Sequence, residues 1–179
     1  HRALAGYDYR LLPTPPEEVE PLFRERKFKG LNVTIPYKRS VMPLCDEIDP
    51  RAAAIGAVNT VVNRDGRLTG YNTDIDGLIY MARRAGVELS GKKVVILGSG
   101  GTSRTAQAAA QELGAAEIVT VSRKGADNYE NLSRHKDAQV IVNTTPVGMF
   151  PRCGEAPVSL ALFPCLTGVL DVVYNPLRT

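Results

Sequence analysis

The sequence predicts an α/β fold in two domains, residues 1–86 and residues 87–179, the second of them a doubly wound parallel sheet. Three observations carry that expectation. Lys93 to Lys124 runs strand, glycine turn, helix, strand, the order of a βαβ unit. Further apolar runs at Ala138–Val142 and Gly168–Val173 repeat the β-then-α order, which implies parallel strands joined by right-handed crossovers. Upstream, Ala57–Asn63 and Leu68–Tyr71 flank Asp65-Gly66, a hairpin signature that belongs to an antiparallel pair.

In chain order, His1–Ala5 reads as the remnant of a helix, and Tyr7–Leu12 alternates as a strand does before the break at Pro13–Pro16. Pro15–Arg26 has proline early, acids in its first turn, Val19, Leu22 and Phe23 on one face and basic residues at its end, the polarity of a helix. Gly30 precedes a strand Leu31–Ile35 that Pro36 ends, and a second helix is expected from Pro36 or Tyr37 to about Cys45. A short helix Pro50–Ile55 closes at Gly56. After the hairpin, a helix from Asn72–Asp74 to about Ala85, ended by Gly86, leads into the second domain. There the apolar run Val94–Leu97 suits a strand covered on both faces, and an alanine-rich helix Thr102–Leu113 stops at Gly114. Ile118–Val121 is the next strand, Tyr129–Arg134 a helical segment, and the two remaining apolar runs complete the sheet. No internal repeat or low-complexity tract interrupts this order.

Composition removes several function classes. A chain of 179 residues with 44% hydrophobic and 23% charged residues has the balance of a soluble protein. The net charge of +3 is modest and its cations are scattered, which argues against nucleic acid as a partner. No run reaches membrane-spanning length and the N-terminus has no apolar signal core, so a cytoplasmic protein is expected. Cys45, Cys153 and Cys165 share no metal-ligand spacing, and with His1 and His135 the only histidines no metal site is expected and the thiols read as reduced. The chain begins at His1 without methionine and ends at Thr179, as a fragment or the ordered part of something longer is expected to do.

The glycine turn carries the first ligand reading. Gly98, Gly100 and Gly101 lack a Cβ, so with Ser99 they allow the backbone to approach a pyrophosphate, while Thr102 and Ser103 open a helix whose amides point at the anion. The G-x-G-x-x-G fingerprint departs at its last glycine, where Ser103 stands. About 20 residues on, an NAD-binding unit normally carries an acid for the ribose 2′-hydroxyl. Here that place reads Ser122, Arg123, Lys124, cations suited to a 2′-phosphate, so NADP is the cofactor expected of a Rossmann-like second domain.

Five further stretches fall at strand ends or turns, where open α/β sheets bind ligands: NVTIPYK (Asn32–Lys38), IGAVNT (Ile55–Thr60), NTD (Asn72–Asp74), NTTPVGM (Asn143–Met149) and DVVYNP (Asp171–Pro176). Lys38 and Asp74 each lie just past a strand end and are placed to face one cleft, as acid/base equipment for reducing a ketone. Thr34, Asn59 and Asn72 are short polar groups able to hydrogen-bond a polyhydroxylated ring, and Thr144, Thr145 and Met149 fall on the nicotinamide side of the cofactor. With the G-x-G-G turn, these motifs resemble the shikimate dehydrogenase family from Gly30 to Pro176.

That resemblance implies a small-molecule enzyme, monomer or homodimer, in which NADPH reduces 3-dehydroshikimate to shikimate in aromatic amino-acid biosynthesis. It also implies Lys38 as acid/base with Asp74 as its partner, and substrate contacts from Thr34 and Asn59. The family's Ser-x-Ser segment falls just before the position of His1, and a helix with a Gln falls beyond Thr179; both lie outside this chain, leaving its substrate domain incomplete. Two other readings remain open at this point, a quinate/shikimate dehydrogenase of broader specificity and a non-catalytic NADP-binding regulatory relative.

Overall fold

The computed structural model describes residue 6 and residues 8–176. The expected helix at His1–Ala5 lies outside the described residues, as does Tyr7. Helix α1 (Pro16–Glu25) starts with proline at its first turn, carries Glu17 and Glu18 there and Arg24 in its last turn, and ends where Arg26 turns left-handed at φ 53°. It buries Val19 and Phe23. Strands β1 (Gly30–Asn32) and β2 (Glu47–Ile48) and helix α2 (Pro50–Ile55) follow, with Asp49 accepting from the Arg51 and Ala52 amides and Gly56 closing the helix at φ 70°. Strands β3 (Thr60–Arg64) and β4 (Arg67–Tyr71) form the expected hairpin, and positive φ at both Asp65 (51°) and Gly66 (87°) gives its two-residue turn the twist that antiparallel strands need. The first sheet has the order β1-β3-β4-β2, antiparallel except where β2 runs parallel to β4. Val19, Phe23, Val41, Ala52, Val58, Val61 and Leu68 form its core.

Helix α3 (Asp74–Arg84) leads to β5 (Lys93–Leu97), α4 (Gly101–Glu112), β6 (Glu117–Val121), β7 (Val140–Asn143) and β8 (Gly168–Asp171). These four strands are all parallel, in the order β6-β5-β7-β8. Because side chains alternate along a strand, Val94 and Ile96 of β5 face α3 and α4, whereas Val95 and Leu97 meet Leu132 and Phe163 on the other face. Each such fully buried side chain contributes roughly 1.5–3 kcal/mol relative to exposure. The path leaves β5 on one face and β7 on the other, which opens a crevice at their carboxyl ends. Ile75, Leu78, Ile79 and Ala82 of α3 share the core of this second sheet with Ile55 and Ala57, so α3 packs where the two layers meet.

Four expectations need correction. Asp8–Leu12 forms no strand, since this segment pairs with neither sheet and leaves Leu11 85% exposed. The strand after Gly30 stops at Asn32. Pro36, cis to Ile35, is followed by a chain of turns and a 3-10 turn at Met42–Leu44 instead of a helix. The cause is visible in the hydrogen bonds: the Lys38 carbonyl is taken by the Val58 amide at 2.7 Å, the Met42 amide turns to Arg39, and Pro43 has no amide to offer. Likewise only a 3-10 turn, Leu132–His135, stands where a helical segment was expected at Tyr129–Arg134. Among the described residues no helix is long and apolar enough to cross a membrane, and no cluster of His, Cys, Asp or Glu is arranged to hold a metal ion.

Arg26 and Asp46 tie the end of α1 to the hairpin layer. Arg26 grips both Asp46 oxygens, at 2.8 and 2.9 Å, and also donates to the Gly66 carbonyl, while Asp46 Oδ2 accepts the Leu68 amide at 2.7 Å. The Arg26 bond, followed by the Leu68 amide, holds the Asp46 carboxyl below the usual carboxylate range. A depressed carboxyl stabilises the fold above its unfolded pKa, and that contribution is lost as the pH falls through its folded one. Asp46→Asn should therefore lower the thermal midpoint at neutral pH, with the gap to the natural protein narrowing on acidification below about pH 4. Thermal unfolding across a pH series measures it; a gap independent of pH would contradict this role.

Candidate active site

Lys38 and Asp74, 36 positions apart, meet with Nζ 2.5 Å from Oδ2. The lysine side chain is 13% exposed and the aspartate 34%, so the pair is partly withdrawn from water. The same backbone features that prevent a helix after Pro36 place the lysine: its carbonyl is fixed to Val58, on the segment entering β3. Asp74 is the first residue of α3, where a helix N-terminus favours negative charge.

Asn59 lies between these two anchors. Its backbone joins the first sheet, the amide donating to Tyr71 and the carbonyl accepting from Val33. Its side chain, 8% exposed, accepts from the Thr73 amide at 2.9 Å and donates through Nδ2 to Thr73 Oγ1 at 3.1 Å. One of the two Nδ2 hydrogens thus has a partner among the described residues. Thr34 is exposed; its carbonyl accepts from Tyr37, and its hydroxyl has no bond among the described residues. Asn72, the third residue expected to hydrogen-bond the substrate ring, is turned into the protein. It is 6% exposed, its Nδ2 donates to the Ala57 carbonyl (3.0 Å) and to Thr105 Oγ1 (3.3 Å), and its Oδ1 accepts the Asp74 amide (3.1 Å). Each of its side-chain polar atoms thus has a partner inside the protein.

The glycine turn occupies the crevice at the end of β5. Gly98 has φ +114°, and a Cβ there would lie 2.7 Å from Thr144 Oγ1, so neither the conformation nor the space admits a side chain. Ser99 and Gly100 are exposed, and α4 begins with no side-chain cap and no acid in its first turn. Its first amides are therefore left for an anion. Thr102 is half-buried, while Ser103 is fully buried and accepts from Gln107 Nε2 at 3.4 Å, which turns it away from that anion site. Thr144 donates to the Leu97 carbonyl at 2.6 Å, Thr145 bonds to Asn143, and Met149 is 41% exposed beyond them. After β6, Ser122 is fixed by its amide to Asp127, while Arg123 and Lys124 are exposed and have no carboxylate partner among the described residues. Burial pushes the neighbouring Tyr129 phenol up, and the Arg123 guanidinium partly opposes it. An uncapped helix, a closely approachable turn and unpaired cations fit a phosphorylated dinucleotide.

The glycine turn and Lys38 are close neighbours. A Cβ on Gly101 would lie 3.3 Å from Lys38 Cβ and 3.7 Å from Ala57 Cβ, so this glycine lets α4 close against the lysine stem. Thr105 and Thr73, which hold Asn72 and Asn59, were missed by sequence reasoning; a threonine inside the alanine face of α4 was the available signal for Thr105.

Residues 4–61 match the family described as the shikimate dehydrogenase substrate binding domain. A shikimate dehydrogenase (NADP(+)) of Halothermothrix orenii is 39% identical, the match covering 97% of this chain and 71% of the relative. That of Geobacillus sp. (strain WCH70) is 38% identical over 84% of this chain, and the chain spans 61% of its length. Among solved structures, shikimate dehydrogenase 1 from Peptoclostridium difficile superposes with a TM-score of 0.85 at 37% identity, covering 94% of this chain and 67% of that one. A shikimate 5-dehydrogenase from Thermus thermophilus, in complex with NADP(H) and shikimate, does so at 0.79 and 33%, covering 91% and 66%.

The packing of Gly101 makes a prediction that needs no ligand. Gly101→Ala should displace the Lys38 stem and lower the thermal midpoint, whereas Gly100→Ala, with open space at its Cβ, should leave it close to that of the natural protein. Equal midpoints for the two variants would show that α4 does not close on Lys38.

Proposed function

We propose that this chain, which belongs to the shikimate dehydrogenase family, carries out the NADPH-dependent reduction of 3-dehydroshikimate to shikimate, with residues 1–86 forming the substrate side and residues 87–179 the cofactor side. The observation that carries the reading is the Lys38–Asp74 contact packed directly against the phosphate-binding turn. The relatives' names support the substrate and the cofactor.

Ser99, Gly100, Gly101 and Thr102 bind the pyrophosphate through backbone amides, and Arg123, Lys124 and Ser122 take the 2′-phosphate. Thr144, Thr145 and Met149 line the nicotinamide side. A cofactor held there would supply the hydride. Asn59 and Thr34 hold ring hydroxyls of the substrate, the first through its second Nδ2 hydrogen. As hydride reaches the carbonyl carbon, negative charge grows on the carbonyl oxygen, and the Lys38 ammonium donates its proton there. Asp74 keeps the lysine aimed at that oxygen and balances its charge; in the reverse direction Lys38 accepts the proton from the hydroxyl. A proton donor at this oxygen stabilises the transition state more than the ground state, so its loss should fall on kcat.

The test is turnover of the full-length protein with shikimate and NADP+, followed by NADPH absorbance. Lys38→Ala should lower kcat by about 10²–10⁴-fold with a smaller change in KM. Unchanged kcat with raised KM would make Lys38 a binding residue only. Comparing kcat/KM for shikimate and quinate in the same assay separates the narrow from the broad-specificity enzyme, and a protein that binds NADPH without turnover would be the regulatory relative instead.

Arg123→Ala should weaken NADP+ binding relative to NAD+ by on the order of 1–3 kcal/mol, the scale of a hydrogen bond to a charged group. Titration with each cofactor reads the difference, and equal losses for both would remove Arg123 from the 2′-phosphate.

A further inference from the structure

Thr105 is fully buried in α4, one turn beyond Gly101, where the other buried residues of the helix are Ser103, Ala106, Ala109 and Ala110. A hydroxyl in such a place must find partners inside the protein. It donates to the Gly101 carbonyl at 3.2 Å and accepts from Asn72 Nδ2 at 3.3 Å. Asn72 continues the line in both directions open to it, donating to the Ala57 carbonyl at 3.0 Å and accepting the Asp74 amide at 3.1 Å. Four segments far apart in sequence are thereby joined: the phosphate-binding turn, the start of α3 with the acid/base carboxylate, the residue after α2, and, through the neighbouring bond of Val58 to the Lys38 carbonyl, the lysine segment.

We propose that Thr105 is a positioning residue whose hydroxyl, set between Asn72 and Gly101, holds the phosphate-binding turn and the Asp74 carboxylate in one fixed arrangement. This rests on the dehydrogenase reading above. The two lobes touch at the site by two different means. Lys38 is held by packing against Gly101, and Asp74 by the packing of α3 on α4 together with hydrogen bonds through Asn72 and Thr105. Cutting the hydrogen bond while keeping the packing of α3 on α4 loosens the Asn72 side chain that fixes the Asp74 amide, and with it the aim of the carboxylate at a lysine that stays in place. Because Thr105 has no exposed surface, it touches neither substrate nor cofactor, and its removal should spare binding more than turnover.

Thr105→Val replaces the hydroxyl by a methyl group at nearly constant volume, Thr105→Ala removes both branches, and Thr105→Ser keeps only the hydroxyl. In the full-length protein, Val and Ala should each lower kcat with shikimate and NADP+ by about five- to thirtyfold, the effect of one lost buried hydrogen bond. KM for shikimate and Kd for NADPH should stay within about twofold, and Ser should restore kcat. Unchanged kcat in Val and Ala, or a loss that Ser does not restore, would overturn the inference. A second readout does not depend on turnover. NADPH should slow hydrogen exchange of the Asp74 amide in the natural protein and not in Thr105→Val. Equal slowing in both, or none in either, would also overturn it. A natural protein that shows the exchange effect but does not turn over shikimate would sink the dehydrogenase reading and leave the Thr105 link standing.

Discussion

An ammonium with 13% of its side chain exposed, held 2.5 Å from a carboxylate, is an arrangement that water opposes. Withdrawing two charges from solvent costs several kcal/mol per ion, and their attraction recovers this only when geometry and surrounding bonds are good. The rest of the site supplies that geometry. Val58 fixes the Lys38 backbone, Asn72 fixes the Asp74 amide, and Gly101 admits α4 against the lysine stem. Stability alone does not call for such a pair, since well-packed apolar residues would serve as well or better. The proton transfer proposed for Lys38 does call for it.

Convergence of two sheets on one pair explains features that would otherwise be unrelated. The turn chain after Pro36 forms no helix because its Lys38 carbonyl is spent on Val58, and that same bond brings the lysine to the mouth of the first sheet. Helix α3 starts at the first sheet with Asp74 and then buries Ile75, Leu78 and Ile79 against the second. The aspartate thus stands where the layers meet. Arg51 adds a surface link across the same junction, pairing with Asp76 of α3 and Glu112 of α4. Exposed pairs of this kind contribute little individually, so the buried Asn72–Thr105 contact and the shared apolar core dominate the joint.

Elements whose signals are local were legible in the sequence. Glycine ends α2, Asp65-Gly66 forces the hairpin, and the run Val94–Leu97 before Gly98 marks the central parallel strand. Elements that depend on a distant partner were not. Asp8–Leu12 alternates like a strand and finds no strand beside it, and β2, two residues long, exists only because β4 is there to pair with. The candidate site divides in the same way. Lys38, Asp74, Asn59 and the glycine turn stand at strand ends and turns and could be marked from pattern and family resemblance. The inward orientation of Asn72 and Ser103, and the role of Thr105, depend on which helix packs on which turn, a tertiary fact with no local signature.

The proposed reaction puts Lys38 in proton contact with the reacting oxygen. The most direct measurement is a crystal structure of the full-length protein with NADP+ and shikimate bound. The account predicts Lys38 Nζ within hydrogen-bonding reach, about 2.6–3.2 Å, of the hydroxyl oxygen whose carbon faces the nicotinamide, with Asp74 still bonded to the lysine. Lys38 turned away from that oxygen, with another donor or an ordered water in its place, would contradict it.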